Sequence, residues 1–448
     1  MAQKIRPDLQ TLIDEYNLEI AKPAGSRQVT RLERLVVALQ KLQDSTPDKG
    51  DLSFFYLASY HGYTTPEIFT QLRKNVPPQF KDNIFCPHGL PEFPAWHRVV
   101  ISKYEKALQH FDPSVMLPFW NETSALSRKE GYPPLLDKDS FTKADGSTIR
   151  NSLKSFAFSE DIDFKGIQIP NEHQTSRNPK HLVQYLSTQI VSDVKTAMKQ
   201  TTYERFSHNG QNFQGSLETP HNNVHNDIGD WMPQVPISSF DPIFWFHHCF
   251  IDLLFWQWQV KNNMMNQINY PQNYLQLVPF QNQVSGSFYT INDIANIAQF
   301  GYSYPAYDLE ELGQNSRQIR RELFAKLGKP VVQKNEGSGK MLTIGGIRFS
   351  SFGGSFIVVV EAKTPTGRIP LGSQSVFRAA SECNNCNVRP MTQVSFRLKN
   401  IPAAQENNIQ FRIWFVLSDK TKLSFKVHLS PGERHVRSIM GIPLELVF

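Results

Sequence analysis

Cysteine is scarce in this sequence: the 448 residues contain four, at Cys86, Cys249, Cys383 and Cys386. Four thiols are too few for a disulfide framework in a chain of this length, which argues against the small disulfide-stabilised class. Long apolar runs are also missing, so no segment is expected to span a bilayer. The first residues lack the apolar stretch of a secretory signal, and we therefore expect a cytoplasmic protein without membrane contact, unless a leader has been removed.

Charge of one sign is not concentrated either. The formal net charge is +6, and the 47 Lys and Arg residues are scattered along the chain. This pattern gives little support to nucleic-acid binding. A hydrophobic content of 40% is typical of a folded globular protein, and the length predicts two or three domains. A homo-oligomer remains possible.

The chain changes character near residue 330. Before it, apolar periodicity predicts helices over 26–43, 51–61, 94–110 and 181–199. Two more helices are predicted by their start signals: one begins with Thr219 and Pro220, and the other runs from Asp241 to about Val260. A short charged helix is predicted over 310–327. Residues 64–92 and 302–304 are predicted to be loop, and 121–178 a surface excursion. After residue 340, alternating segments predict strands. We expect a mainly α helical-bundle core (1–308), a linker (309–340) and an all-β, sandwich-like C-terminal domain (341–448).

Histidines are the side chains that suggest chemistry. His221 and His225 are four residues apart, so on a helix they share one face, and the pair His247–His248 follows. His61, His88 and His97 form an upstream set. An all-imidazole site suits copper or zinc, and two groups of three imidazoles fit a pair of copper ions. Non-haem iron would want a carboxylate ligand, and a single catalytic zinc would use three histidines and leave the rest unexplained.

Two motifs carry a resemblance. His88-x4-Phe93-Pro-Ala-Trp96-His97-Arg98-x6-Glu105 and Asp241-Pro-Ile-Phe244-x3-His248-x3-Asp252 resemble the two copper-binding signatures of the tyrosinase family. That family includes tyrosinases, catechol oxidases and molluscan-type haemocyanins, and the resemblance covers about residues 50–310. It implies a dicopper site, with copper A on His61, His88 and His97 and copper B on His221, His225 and His248. His247 is left as a supporting or packing residue.

The resemblance also implies roles for residues around the ligands. Cys86 is expected to form a thioether bond with His88; the alternative is a small buried thiol. Glu218 and Asn222 are expected to hold a water that deprotonates a phenol. The alternative is a solvated carboxylate and a polar surface residue, since a cap at Thr219 would leave Glu218 outside the helix.

Two apolar residues bear on substrate access. Val235 matches a position where plant catechol oxidases tend to place a bulky Phe over copper A, so a Val there implies room for monophenols. Phe244 is expected to line the pocket wall, or to be one more aromatic in a Phe-rich core. The family pattern is not followed everywhere: Leu253 after Asp252 and Asn121 after Trp120 depart from it, which puts local salt bridges in doubt.

The tail contains Cys383-Asn-Asn-Cys386. A lone pair at this spacing is compatible with a redox motif, half of a zinc site or a loop. Two thiolates also suit Cu(I), and some fungal pro-tyrosinases carry such a motif, linked with copper delivery, in a C-terminal domain that covers the active site. A similar shielding domain is expected here, with Leu371 or Phe377 as candidates to enter the pocket; the alternative is a structural β-domain. The resemblance implies oxidation of small phenols to o-quinones with O2. The alternatives are an o-diphenol-only catechol oxidase and a haemocyanin-like oxygen carrier.

Overall fold

The structure is a computed structural model that describes residues 4–62, 65–78, 85–164, 167–209, 215–282, 285–305, 340–348, 352, 355–365, 367–376, 391–398, 401, 409–417, 422–439 and 442–448. Its buried apolar residues form two clusters. One lies between Leu9 and Tyr304, and the other between Leu342 and Phe448. The predicted helix over 310–327 and all of the predicted linker except Lys340 lie outside the described residues.

The first cluster is built mainly by helices. These are α1 (Leu9–Ile20), α2 (Arg31–Asp44), α3 (Phe54–Ser59), α4 (Pro66–Leu72), α5 (Phe93–Phe111), α6 (Ala125–Glu130), α7 (Leu182–Thr188), α8 (Ile190–Ala197), α9 (Tyr203–Ser207), α10 (Glu218–Ile228) and α11 (Ile243–Lys261). Nearly every side chain of α11 is buried up to Phe255, as expected of a central helix that is apolar all round. Helix α5 packs against α11 and α2. Within the described residues, no helix has the length and apolar content needed to cross a membrane.

The helical prediction is largely confirmed, with differences at the ends. Helix α2 begins five residues later than residue 26, because the Thr30 hydroxyl accepts from the Glu33 N–H and caps it. The predicted loop over 64–92 contains α4, and the helix predicted over 181–199 is divided into α7 and α8. The segment 121–178 is not confined to the surface, since Phe141, Leu153 and Phe156 join the core.

Short strands accompany the helices. They are β1 (Lys4–Ile5), β2 (Ser140–Thr142), β3 (Thr148–Arg150), β4 (Ile162–Phe164), β5 (Ile167–Ile169), β6 (Gln276–Gln281), β7 (Phe288–Thr290) and β8 (Tyr302–Ser303). Strand β1 pairs in parallel with β8, so the loop prediction for residues 302–304 is wrong at its first two positions. This pairing places the N-terminal segment beside the end of the helical part.

A buried ionic cluster lies where β1 and β8 meet α5 and α11. Asp252 on α11 accepts from Arg98 Nε at 2.6 Å and from Arg6 Nη1 at 3.2 Å, and Arg6 Nε donates to Glu105 at 3.0 Å. The Tyr302 hydroxyl donates to Asp252 at 2.6 Å. The departures from the family pattern near Asp252 therefore leave its salt bridges intact, because Arg6 and Arg98 supply the positive charge.

The second cluster is formed by eight described strands. They are β9 (Met341–Arg348), β10 (Phe356–Thr364), β11 (Gly367–Val376), β12 (Met391–Arg397), β13 (Ile409–Leu417), β14 (Lys422–Leu429), β15 (Arg434–Ile439) and β16 (Ile442–Val447). They make two four-stranded sheets, ordered β11-β10-β13-β14 and β12-β9-β16-β15. Both sheets contribute to one core, for example through Val358 and Leu446, which confirms the all-β sandwich-like tail.

The sandwich contacts the helical part through β11. The backbone N–H of Ser375 donates to Asn223 Oδ1 on α10 at 2.9 Å. Gly372 lies against Gln189 with φ +125°, where an added Cβ would lie 2.9 Å from the Gln189 side-chain nitrogen. The edge strand of one sheet thus packs on the helix that carries His221 and His225.

Candidate metal centre

The upstream group brings together His61, Cys86, His88 and His97. Their nitrogen and sulfur ligand atoms all lie within 4.8 Å of one another. His61 lies two residues after the end of α3, His88 precedes α5, and His97 lies in the first turns of α5. His61 and His97 are almost fully buried. Elements distant in sequence thus converge on one small polar cluster in an apolar surround.

The downstream group is formed by His221 and His225 on α10 and by His247 and His248 on α11. Nε2 of His248 lies 3.3 Å from Nε2 of His221 and 3.2 Å from Nε2 of His225. Nitrogens bound to one ion at about 2.0 Å in a tetrahedral arrangement are about 3.3 Å apart. Nε2 of His248 therefore has, from each of the other two Nε2 atoms, the spacing of ligands to a single metal ion.

The outer nitrogens of four imidazoles face oxygen acceptors. Nδ1 of His61 lies 2.9 Å from the Val235 carbonyl, that of His97 2.7 Å from the Phe93 carbonyl, and that of His225 2.8 Å from the Met232 carbonyl. Nδ1 of His221 lies 2.9 Å from Asn222 Oδ1. A proton donated from Nδ1 leaves the Nε2 lone pair for a metal, as outer partners of ligating histidines do.

Burial keeps these imidazoles neutral. Desolvation lowers the pKa of His61 to about 3, and it lowers the pKa of His97, His221, His225 and His248 well below the ordinary value. Neutral imidazole is the form that binds metal. Together with the all-imidazole donor set and the ligand spacing, this fits a copper pair.

The two groups adjoin one another. The rings of His97 and His248 stack with centroids 4.3 Å apart, and those of His88 and His221 are 5.3 Å apart. Phe244 packs between the groups, with its ring 4.1 Å from that of His248 and 4.8 Å from that of His61. The prediction that Phe244 lines the pocket stays a prediction, but its contacts are with imidazoles of both groups.

Cys86 lies in the middle of the upstream group. Its Sγ is 2.9 Å from Nδ1 of His88, 3.0 Å from Nε2 of His61 and 3.6 Å from Nε2 of His97. His88 is therefore the imidazole nearest to the sulfur. The thioether stays a prediction, and the Cys86 side chain is buried.

Glu218 and Asn222 are placed differently from the sequence prediction. Helix α10 begins at Glu218 with Leu217 before it, so the cap at Thr219 is wrong. Pro220 is tolerated because N–H groups of a first turn have no acceptor within the helix. Glu218 and Asn222 are then one turn apart on one helix face, and they are 2% and 4% exposed. Neither is a solvated surface residue.

The Glu218 carboxylate is held on both oxygens. Oε1 accepts from the backbone N–H of Gly89 at 2.8 Å, and Oε2 accepts from that of Asn209 at 2.7 Å. Gly89 follows the predicted ligand His88, so the carboxylate ties α10 to the upstream group. Asn222 turns its Oδ1 to His221, which leaves its amide N–H groups for other partners.

The remaining predictions concern substrate access and the C-terminal domain. Val235 is buried, and its carbonyl faces His61, while the predicted effect of its side chain on copper access stays a prediction. Leu371 packs against the sandwich core from its edge. Phe377 and the Cys383–Cys386 motif lie outside the described residues.

Sequence reasoning missed the partner of His247. Nδ1 of His247 contacts Oε1 of Glu122, and both side chains are fully buried. The only available signal was an acidic residue just after the aromatic Phe119–Trp120 pair. The carbonyl acceptors of Phe93, Val235 and Met232 left no signal in the sequence, because any residue type supplies a carbonyl.

Comparisons with known proteins agree with this fold and site. Residues 51–261 match the model of the common central domain of tyrosinase. Tyrosinase HcTyr2 from Hahella sp. is 27% identical over 85% of this chain and 86% of its own length. A tyrosinase structure from Burkholderia thailandensis has a TM-score of 0.71 at 23% identity, covering 95% of this chain and 100% of that one. A pro-tyrosinase mutant from Aspergillus oryzae has a TM-score of 0.62 at 17% identity, covering 94% and 95%.

The fold and the paired imidazole groups fit a type 3 dicopper site. Residues 51–261 carry the common central domain of the tyrosinase family, whose members bind a pair of copper ions.

Proposed function

We propose that the protein oxidises monophenols and o-diphenols to o-quinones with O2, and that it is latent until its C-terminal domain is displaced or removed. The observation that carries the proposal is the pair of adjoining imidazole groups, with the buried Glu218–Asn222 face beside them. His61, His88 and His97 would hold one copper ion, and His221, His225 and His248 the other. The copper pair supplies the reduction of O2.

The residues of this chain orient the ligands and handle the proton of the substrate. A phenol has an ordinary pKa near 10, so a positioned base is needed at neutral pH. Glu218 is fixed by two backbone N–H donors. We infer that Glu218 and the Asn222 amide orient a water that accepts the phenol proton.

Glu218→Gln is therefore expected to lower kcat/KM for tyramine by about a hundredfold, the lower range for loss of general-base catalysis. The loss for dopamine should be smaller, because a catechol is the more acidic substrate. The matched control is Glu33→Gln on α2, since Glu33 is also buried and accepts a backbone N–H, from Ala144 at 2.9 Å. Equal losses for the two substrates would contradict the proposed role.

Latency is supported by the packing of β11 on α10. Cleavage of the copper-loaded chain near residues 330–340 is expected to raise O2 consumption with tyramine about tenfold or more. This follows if the open form is a minor state of the intact chain. The control is the same protease acting on a chain whose cleavage site has been replaced.

The other outcomes of that experiment are informative. Activity on dopamine without activity on tyramine would make the protein an o-diphenol-only catechol oxidase. Reversible O2 binding without any quinone would make it an oxygen carrier. A copper-loaded chain as active before cleavage as after it would refute latency. Cys383 and Cys386 remain our candidates for copper delivery.

The thioether proposal has its own test. After copper loading in air, a bond between Sγ of Cys86 and a ring carbon of His88 would remove two hydrogen atoms, with O2 taking the electrons and protons. The unfolded, reduced protein should then alkylate at Cys249, Cys383 and Cys386 but not at Cys86, and peptide masses should show the link. Alkylation of Cys86 would exclude the bond.

A further inference from the structure

His247 and Glu122 form a buried pair that the three-plus-three ligand assignment does not use. The exposed fraction of both side chains is 0%. Nδ1 of His247 contacts Oε1 of Glu122, and in the tautomer in which Nδ1 donates to this carboxylate, Nε2 of His247 carries the lone pair. Within the described residues, that Nε2 is buried and has no hydrogen-bond partner. A buried nitrogen destabilises the fold unless its lone pair is bound by a hydrogen-bond donor or a metal ion.

His247 is as close to the predicted copper B ligands as they are to one another. Its ring centroid lies 5.2 Å from that of His221, 4.8 Å from that of His225 and 5.1 Å from that of His248. The predicted ligands are 4.5, 4.8 and 5.3 Å apart by the same measure. Ligand nitrogens of all four lie within 4.8 Å. Nitrogens on opposite sides of one copper ion are about 4 Å apart, so a small shift brings Nε2 of His247 into reach.

We propose that His247 is a fourth imidazole of the copper B site, oriented by Glu122, which keeps the copper bound when one of the other three histidines releases it. This rests on the proposed dicopper site. When a carboxylate is hydrogen-bonded to a histidine that binds a metal ion, it fixes the orientation of the ring and increases the basicity of the ligating nitrogen. A packing role would need only the ring shape, whereas the proposed role needs the nitrogen.

The first test measures copper retention. His247→Phe alone would leave the Glu122 carboxylate buried without a partner, so the main variant is the double replacement H247F/E122L in the full chain. The reduced holoprotein is mixed with a Cu(I) chelator, and the release of each copper is followed by absorbance. One of the two coppers should leave about 10- to 100-fold faster, the range for lost outer partners of a metal ligand. Glu122→Gln, which keeps a neutral acceptor, should give a smaller acceleration.

The second test counts nitrogens. In a full-length background with His61 and His97 replaced by Asn, one Cu(II) is expected in the downstream group. Its electron paramagnetic resonance should show coupling to more nitrogens with His247 present than in the H247F/E122L background. Thermal unfolding of the apo forms identifies any variant that fails to fold, and only folded variants are compared.

The outcomes separate this inference from the proposed function. If the parent holds two coppers and oxidises phenols, but release rates and nitrogen coupling are the same in the double variant, His247 is a packing residue and the inference is wrong. If the parent protein binds no copper, both the proposed function and this inference are wrong. Faster release with fewer coupled nitrogens supports the fourth imidazole.

Discussion

Replacing His248 with glutamine is expected to lower phenol oxidation by more than about a hundredfold, the upper range for loss of a mere outer partner of a ligand. Nε2 of His248 lies 3.2 and 3.3 Å from the nitrogens of His225 and His221, and its ring stacks on His97 of the other group. Its removal therefore affects the copper B site and the contact between the two sites. Copper per chain, measured by atomic absorption beside an oxygen electrode, should fall from two towards one when His247 is replaced as well, because the fourth imidazole proposed above would otherwise retain the ion.

The control for this variant is His110→Gln. His110 is exposed near the end of α5, the helix that carries His97, so the same replacement there should leave copper content and oxidation unchanged. A His248→Gln protein that keeps two coppers and full activity would refute the ligand assignment at this position.

The second large effect is expected from Asp252→Asn. It removes the charge that faces Arg6 and Arg98, both of which are fully buried. Arg98 then loses its carboxylate partner, whereas Arg6 keeps Glu105, and leaving a buried cation unpaired costs about 3–5 kcal/mol of unfolding free energy. Denaturation of the apo-protein by urea, followed through its helical circular dichroism, measures the loss. Asp145→Asn, at an exposed pair with Lys143, should change little.

The ionic cluster also predicts a pH dependence. Burial acts to raise the pKa of Asp252, but Arg98 and Arg6 hold it below the ordinary value. A carboxyl with a depressed pKa stabilises the fold above its unfolded pKa, near 4, and this contribution is lost as the pH falls through the folded value. In the Asp252→Asn protein, stability should therefore change less between neutral and acidic pH. If the unfolding free energies of the two proteins changed equally with pH, Asp252 would not contribute to the pH dependence of stability.

The predicted ligands could be found from sequence because part of the site is local. The spacing of His221 and His225 alone places them on one helix face. The remaining ligands were predicted because the motifs around His97 and His248 resemble the family's copper-binding signatures. The supporting contacts could not be found, since Arg6 reaches Asp252 only after the chain has returned to pair β1 with β8. Tertiary contacts of this kind leave no periodic pattern.

The sequence predictions that the structure contradicts were wrong for physical reasons. Thr219 followed by Pro220 has the composition of a cap and first helical residue, yet a first turn accepts Pro at several positions, and α10 begins at Glu218. The polar composition of 121–178 predicted a surface segment, although scattered aromatic residues such as Phe141 and Phe156 enter the core. Local composition was the wrong guide where a few apolar residues decide burial.

Strand β11 is an edge strand of its sheet, and it meets α10 through a main-chain N–H, that of Ser375. An edge covered in this way is protected from pairing with other chains. Once separated from the helices, the sandwich would present that edge as a template for strand addition. If cleavage activates the protein as proposed, the released sandwich should therefore be prone to self-association through this edge.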